Sequence, residues 1–120
     1  MSDEADFGQL AEDLSPEDLR VVLGVFATDV KRLIDNLNAA AAEDDLATFK
    51  RVAHGLAGAA GAVGAKSLEQ ASRAAMLRTE LVGERLTATA SAIEAMAATA
   101  LSQLEAFVAK LDEGHPPGHG

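Results

Sequence analysis

A chain of 120 residues, 48% of them hydrophobic and none of them cysteine, is long enough to bury one core and excludes disulfide frameworks and thiolate metal sites. Its formal charge of −9 argues against nucleic-acid binding, which needs a basic stripe, and against adsorption to anionic lipid. The acidic start Met1-Ser2-Asp3-Glu4-Ala5-Asp6 has no apolar h-region, and no apolar run approaches the roughly 20 residues of a bilayer span, so a cytoplasmic chain without signal peptide or membrane segment is expected.

Aromatic residues make up only 3%, so the core must come from Leu, Val, Ile and Ala, which suits close-packed helices. Residues 4–13 are expected to form a short leading helix with Phe7, Leu10 and Leu14 on one side. Ser15-Pro16-Glu17-Asp18 reads as a strong helix start: Ser as N-cap, Pro in the first position, acids at the positive helix end. Leu19, Val22, Leu23, Phe26, Val30, Leu33, Ile34 and Leu37 follow at three-four spacing, and the pattern fades over 39–42 toward a stop near Glu43-Asp44. Asp44 or Asp45 caps the next helix, which ends near Gly64.

Ser67, or the turn before it, opens a further long helix with Leu68, Ala71, Ala75 and Met76 inward and Gly83 as its breaker. The last helix runs from about Glu84 to Asp112 on Leu86, Ala90, Ile93, Ala97, Ala100, Leu104, Phe107 and Leu111. No Pro falls between 17 and 115 to interrupt these helices, and strands find no support. The expected fold is all-α: an antiparallel four-helix bundle over 15–112, a short extra N-terminal helix within 1–14, and a disordered Gly/Pro tail over 113–120.

The helix before Gly64 carries an uneven surface. An α-helix advances about 100° per residue; with His54 at zero, Phe49, Val52, Leu56, Ala60 and Val63 fall between roughly 160° and 240° and form the core stripe. His54 points the other way, into solvent. Ala47, Gly58 and Gly61 lie within roughly 40° of it, Lys50 near 320° and Arg51 near 60°. An exposed imidazole, a bald patch beside it and two cations one turn back make a docking surface with a nucleophile at its centre.

Gly55, Gly58, Gly61 and Gly64 recur every third residue. The three interior glycines cost about 2–3 kcal/mol of helix propensity against alanine. Gly58 and Gly61 share the face of His54, so the close approach of a partner is their expected reason; Gly64 reads as a C-cap.

These residues resemble the histidine phosphotransfer (HPt) domains of two-component phosphorelays. The family motif is His-x-Leu-Lys-Gly, small residues, and a further Gly six positions on; His54, Leu56, Gly58 and Gly64 stand at those places with small residues over 59–62. The likeness extends from about Ser15 to Asp112. It implies a carrier that accepts a phosphoryl group on His54 from a receiver-domain aspartate and passes it to another. Its implied partners are response-regulator receiver domains and a hybrid histidine kinase. The carrier itself would be a monomer without a cofactor, and Mg²⁺ would sit on the receiver. The family's Lys, which supports the phosphoryl group, is Ala57 here; Ala57 is still expected on the docking face. Lys50 or Arg51 would supply the charge instead. The competing reading is a helical adaptor that binds receiver or kinase domains without carrying phosphate.

The motifs of other chemistries are missing. No Gly-x-x-x-x-Gly-Lys-[Ser/Thr] loop, dinucleotide fingerprint or kinase module is present, so no kinase or ATPase activity is expected. Asp and Glu are absent from 46 to 68, which removes an acid–base partner for His54 and the carboxylates a metal would want. His115 and His119 sit in the tail and are read as unstructured rather than as a metal pair.

Overall fold

The computed structural model describes residues 7–78 and 80–114. Their order is α1 (Phe7–Asp13), α2 (Pro16–Ala42), α3 (Leu46–Val63), α4 (Lys66–Leu77) and α5 (Glu84–Gly114). Helices α2 to α5 form a closed ring in which each packs on the next and α5 returns to α2. Short connections make neighbours antiparallel. The fold is the all-α four-helix bundle with a small leading helix. α1 is anchored by Phe7, which is buried and meets the Phe107 ring of α5 at 5.7 Å and 52°.

The helix ends follow local chemistry. Ser15 Oγ accepts from the Asp18 N–H at 3.1 Å, with Pro16 in the first position. Asp45, not Asp44, caps α3 by accepting from the Thr48 N–H at 3.1 Å. Asp44 instead takes a left-handed φ of 54° in the turn, and its Oδ1 accepts from the Gly83 N–H at 2.8 Å. That bond ties the α2–α3 turn to the α4–α5 connection. Gly64 closes α3 at φ 81°, and the Ala65 N–H reaches back to the Ala60 carbonyl at 2.9 Å. This left-handed cap satisfies the last carbonyls and reverses the chain within two residues.

α4 opens in the turn before Ser67, as expected, and departs from expectation at its end. It starts at Lys66 behind Ala65, which makes no side-chain cap, and it stops at Leu77 rather than at Gly83. The reason is Leu81. On a continued helix Leu81 would share the face of Leu77. Leu77 is 83% exposed, whereas Leu81 is fully buried. Leaving the helix at Arg78 turns Leu81 into the core, and Gly83 then serves the turn into α5 with φ 51°.

α5 reaches Gly114, beyond the expected end at Asp112. By length and composition its Glu84–Leu111 stretch is long and apolar enough to cross a membrane, which corrects the expectation that no such run exists. Alanine supplies much of that apolarity. Its Leu86, Ala90, Ile93, Ala97, Ala100 and Leu104 are buried in the bundle, while Glu94 accepts from Asn38 Nδ2 of α2 at 3.3 Å. The expected start of the leading helix at residue 4, and the tail with His115 and His119, lie outside the described residues.

Among the described residues the one buried polar side chain is Ser72 of α4, and its Oγ has no hydrogen-bond partner there. A buried hydroxyl without a partner keeps its desolvation cost, and alanine is the better helix former. Ser72→Ala is therefore expected to stabilise the fold by about 1 kcal/mol, read as a higher urea midpoint at unchanged slope.

Candidate functional site

The rotation of α3 about its axis decides what it shows to solvent. Phe49, Ala53, Leu56, Ala60 and Val63 are buried, and His54 on the opposite side is exposed. The helix is anchored by its cap. Hydrogen bonds from the Thr48 side chain and N–H hold the Asp45 carboxyl below its ordinary value of 3.8, and the Arg51 charge adds to this.

Several of the expected neighbours of His54 stand as anticipated. Ala47, Arg51 and Gly58 are exposed and Lys50 is half-buried. A Cβ added to Gly58 would meet no atom within 4 Å. No packing inside the bundle accounts for that glycine, and the surface beside the imidazole is open.

One neighbour is placed differently, and another is met by a side chain of α4. Ala57, expected on the docking face, is 2% exposed. It lies about 60° around the helix from His54, on the side that α4 covers. A lysine at this position would have to climb out of a buried site. Gly61 is exposed, as expected; a Cβ there would come within 2.9 Å of Glu69 Oε2, the tip of a flexible side chain from α4. Gly55 is half-buried on the α2 side, with Leu33 Cδ2 at 3.4 Å from an added Cβ.

A carboxylate from the next helix thus meets this face at Gly61, about two turns along α3 from His54. Glu69 Oε2 accepts from Arg73 Nε at 3.0 Å and from a terminal guanidinium nitrogen at 2.8 Å. The sequence carries the Glu-to-Arg spacing of four that makes such a pair on one helix. It does not say that the pair lies against Gly61 on the edge of the His54 face. Among the described residues no three His, Asp or Glu side chains group so as to hold a metal ion.

Chemically, the arrangement offers one accessible imidazole, open ground at Gly58 on its C-terminal side, and Lys50 and Arg51 on the turn before it. The Hpt domain family matches residues 21–114, which covers nearly all of α2 and the whole of α3, α4 and α5. No curated protein and no solved structure matches the chain.

Since Gly58 contacts nothing, its replacement isolates the helix-propensity cost. Gly58→Ala is expected to stabilise the protein by about 0.8–1 kcal/mol in urea denaturation. Destabilisation would show that the site is not the open surface described.

Proposed function

This chain belongs to the Hpt domain family, and on that premise we propose that it is a phosphorelay carrier whose phosphoacceptor is His54. The observation that carries the reading is the outward imidazole of His54 beside the open surface at Gly58, on the helix whose opposite face is locked into the core.

Neutral imidazole is a nucleophile. A ring nitrogen of His54 attacks the phosphorus of an aspartyl phosphate on a receiver domain. The N–P bond forms, the bond from phosphorus to the aspartate oxygen breaks, and the carboxylate leaves. The proton on the other ring nitrogen passes to solvent. The reverse sequence delivers the phosphoryl group to the aspartate of a second receiver. Such transfers depend on positioning and charge neutralisation. The bundle presents the ring on a rigid element and keeps its surroundings low. Lys50 and Arg51, on the turn before His54, contribute positive charge, and the receiver brings Mg²⁺. A hybrid histidine kinase and a cytoplasmic setting complete the proposal. The adaptor alternative rests on Ala57, which leaves the place of the family's lysine uncharged and buried.

The decisive experiment is transfer of radiolabelled phosphate from purified phosphorylated receivers. His54→Gln is expected to take no label while losing under about 0.5 kcal/mol of stability, since the side chain makes no core contact. Binding of receivers without transfer to the wild-type protein would favour the adaptor.

In the same assay, at low salt, Lys50→Ala or Arg51→Ala is expected to slow the initial rate roughly tenfold relative to a control change at Lys31 on α2. If neither does so, the receiver alone supplies the charge.

A further inference from the structure

The Glu69–Arg73 pair is placed more purposefully than a surface ion pair requires. α3 and α4 form an antiparallel hairpin about the two-residue turn Gly64-Ala65. Residues equally far from that turn stand level across the hairpin, and the contact of Glu69 with Gly61 fixes this register independently. Arg73, one turn beyond Glu69, is therefore level with Ala57. Along the hairpin it is within about one helical turn, some 5 Å, of His54. Gly61 lies on the His54 side of α3, so the edge of α4 that carries Glu69 and Arg73 borders the same open face.

The two partners are unequal. The Arg73 side chain is 59% exposed and that of Glu69 27%. Glu69 is lodged in the space left by Gly61, whereas Arg73 reaches back a full turn to meet it. To meet His54 the long Arg73 side chain must swing to another rotamer, toward the C-terminal end of α4. Ala57 between them is small and buried, so no side chain of α3 stands in the way. A pair this exposed is weakly held. A phosphoryl dianion offers more charge and more acceptor oxygens than one carboxylate, and the planar guanidinium suits it.

We propose that Arg73 is a phosphoryl-binding residue parked on Glu69: when His54 is phosphorylated, the guanidinium leaves Glu69 and binds the phosphoryl oxygens. This rests on His54 being the phosphoacceptor. It adds a cation from a second helix, and it makes Glu69 a competitor that keeps Arg73 off the face while the imidazole is unmodified.

The test uses the intact chain and phosphoramidate, a small phosphodonor, so that no receiver supplies charge of its own. Phosphorylation is followed by ³¹P NMR, and the second phosphoryl ionisation is titrated in each variant. A bound cation favours the dianion. Arg73→Ala is expected to raise the pKa of that ionisation and to slow labelling about fivefold, with Arg73→Lys intermediate. Glu69→Gln, which removes the competitor, is expected to lower it. The thermal midpoint of Arg73→Ala should stay near that of the wild type, separating a phosphoryl contact from a structural one. A titration unmoved by Arg73→Ala, with labelling within about twofold of wild type, would overturn the role of Arg73 while leaving His54 as acceptor. If the wild-type protein takes no label, the His54 reading fails, and the role of Arg73 fails with it.

Discussion

The burial of one seam on α3 governs everything else about the site. Phe49, Ala53, Leu56, Ala60 and Val63 are each at most 3% exposed, and together they leave α3 a single orientation about its axis. Turning the helix to hide His54 would bring that seam into water. The cost would be several kcal/mol, because each large apolar side chain contributes about 1.5–3 kcal/mol when fully buried. The exposed imidazole is thus held outward by groups on the far side of the helix that never touch it.

The bundle also ties the two ends of this helix down. Asp45 closes its start and Gly64 its end. Asp44 reaches from the turn before α3 to the backbone of Gly83, joining two connections that are distant in sequence. Under the carrier role proposed above, an imidazole mounted between such anchors needs little reorganisation, which is where positioning contributes to a transfer reaction. The small residues of α3 let α2 and α4 come close on either flank: Leu33 lies over Gly55 and Glu69 over Gly61. Gly58, where an added Cβ would meet no atom within 4 Å, adjoins His54.

Charge adds a second theme. The chain carries a net −9, yet Lys50 and Arg51 stand on the turn of α3 before His54, and the one carboxylate that meets this face, Glu69 at Gly61, is paired with Arg73. The two α3 cations therefore have no carboxylate on their own helix after Asp45 to offset them. Their field acts over short range and weakens with salt.

Periodicity alone determined the helices, because burial repeats every three to four residues whatever the neighbour. It therefore placed the outward imidazole of His54, the open glycine at 58 and the core stripe of α3 except at one place, where Val52 is half-buried and Ala53 takes its position in the core. The caps at Ser15 and Gly64 were legible for the same reason: they are local chemistry. What depended on a second element was not legible. α4 ends at Leu77 because Leu81 has a place in the core, and no pattern within the helix announces that. Ala57 looked open because the angle on one helix does not reveal where the next one lies. Glu69 and Arg73 follow the missing acids by only a few positions, but their relation to His54 exists only once the Gly64 turn folds α4 back along α3. A helix writes its own faces into its sequence, whereas the partner of each face is chosen by packing between helices, and only the tertiary structure decided that.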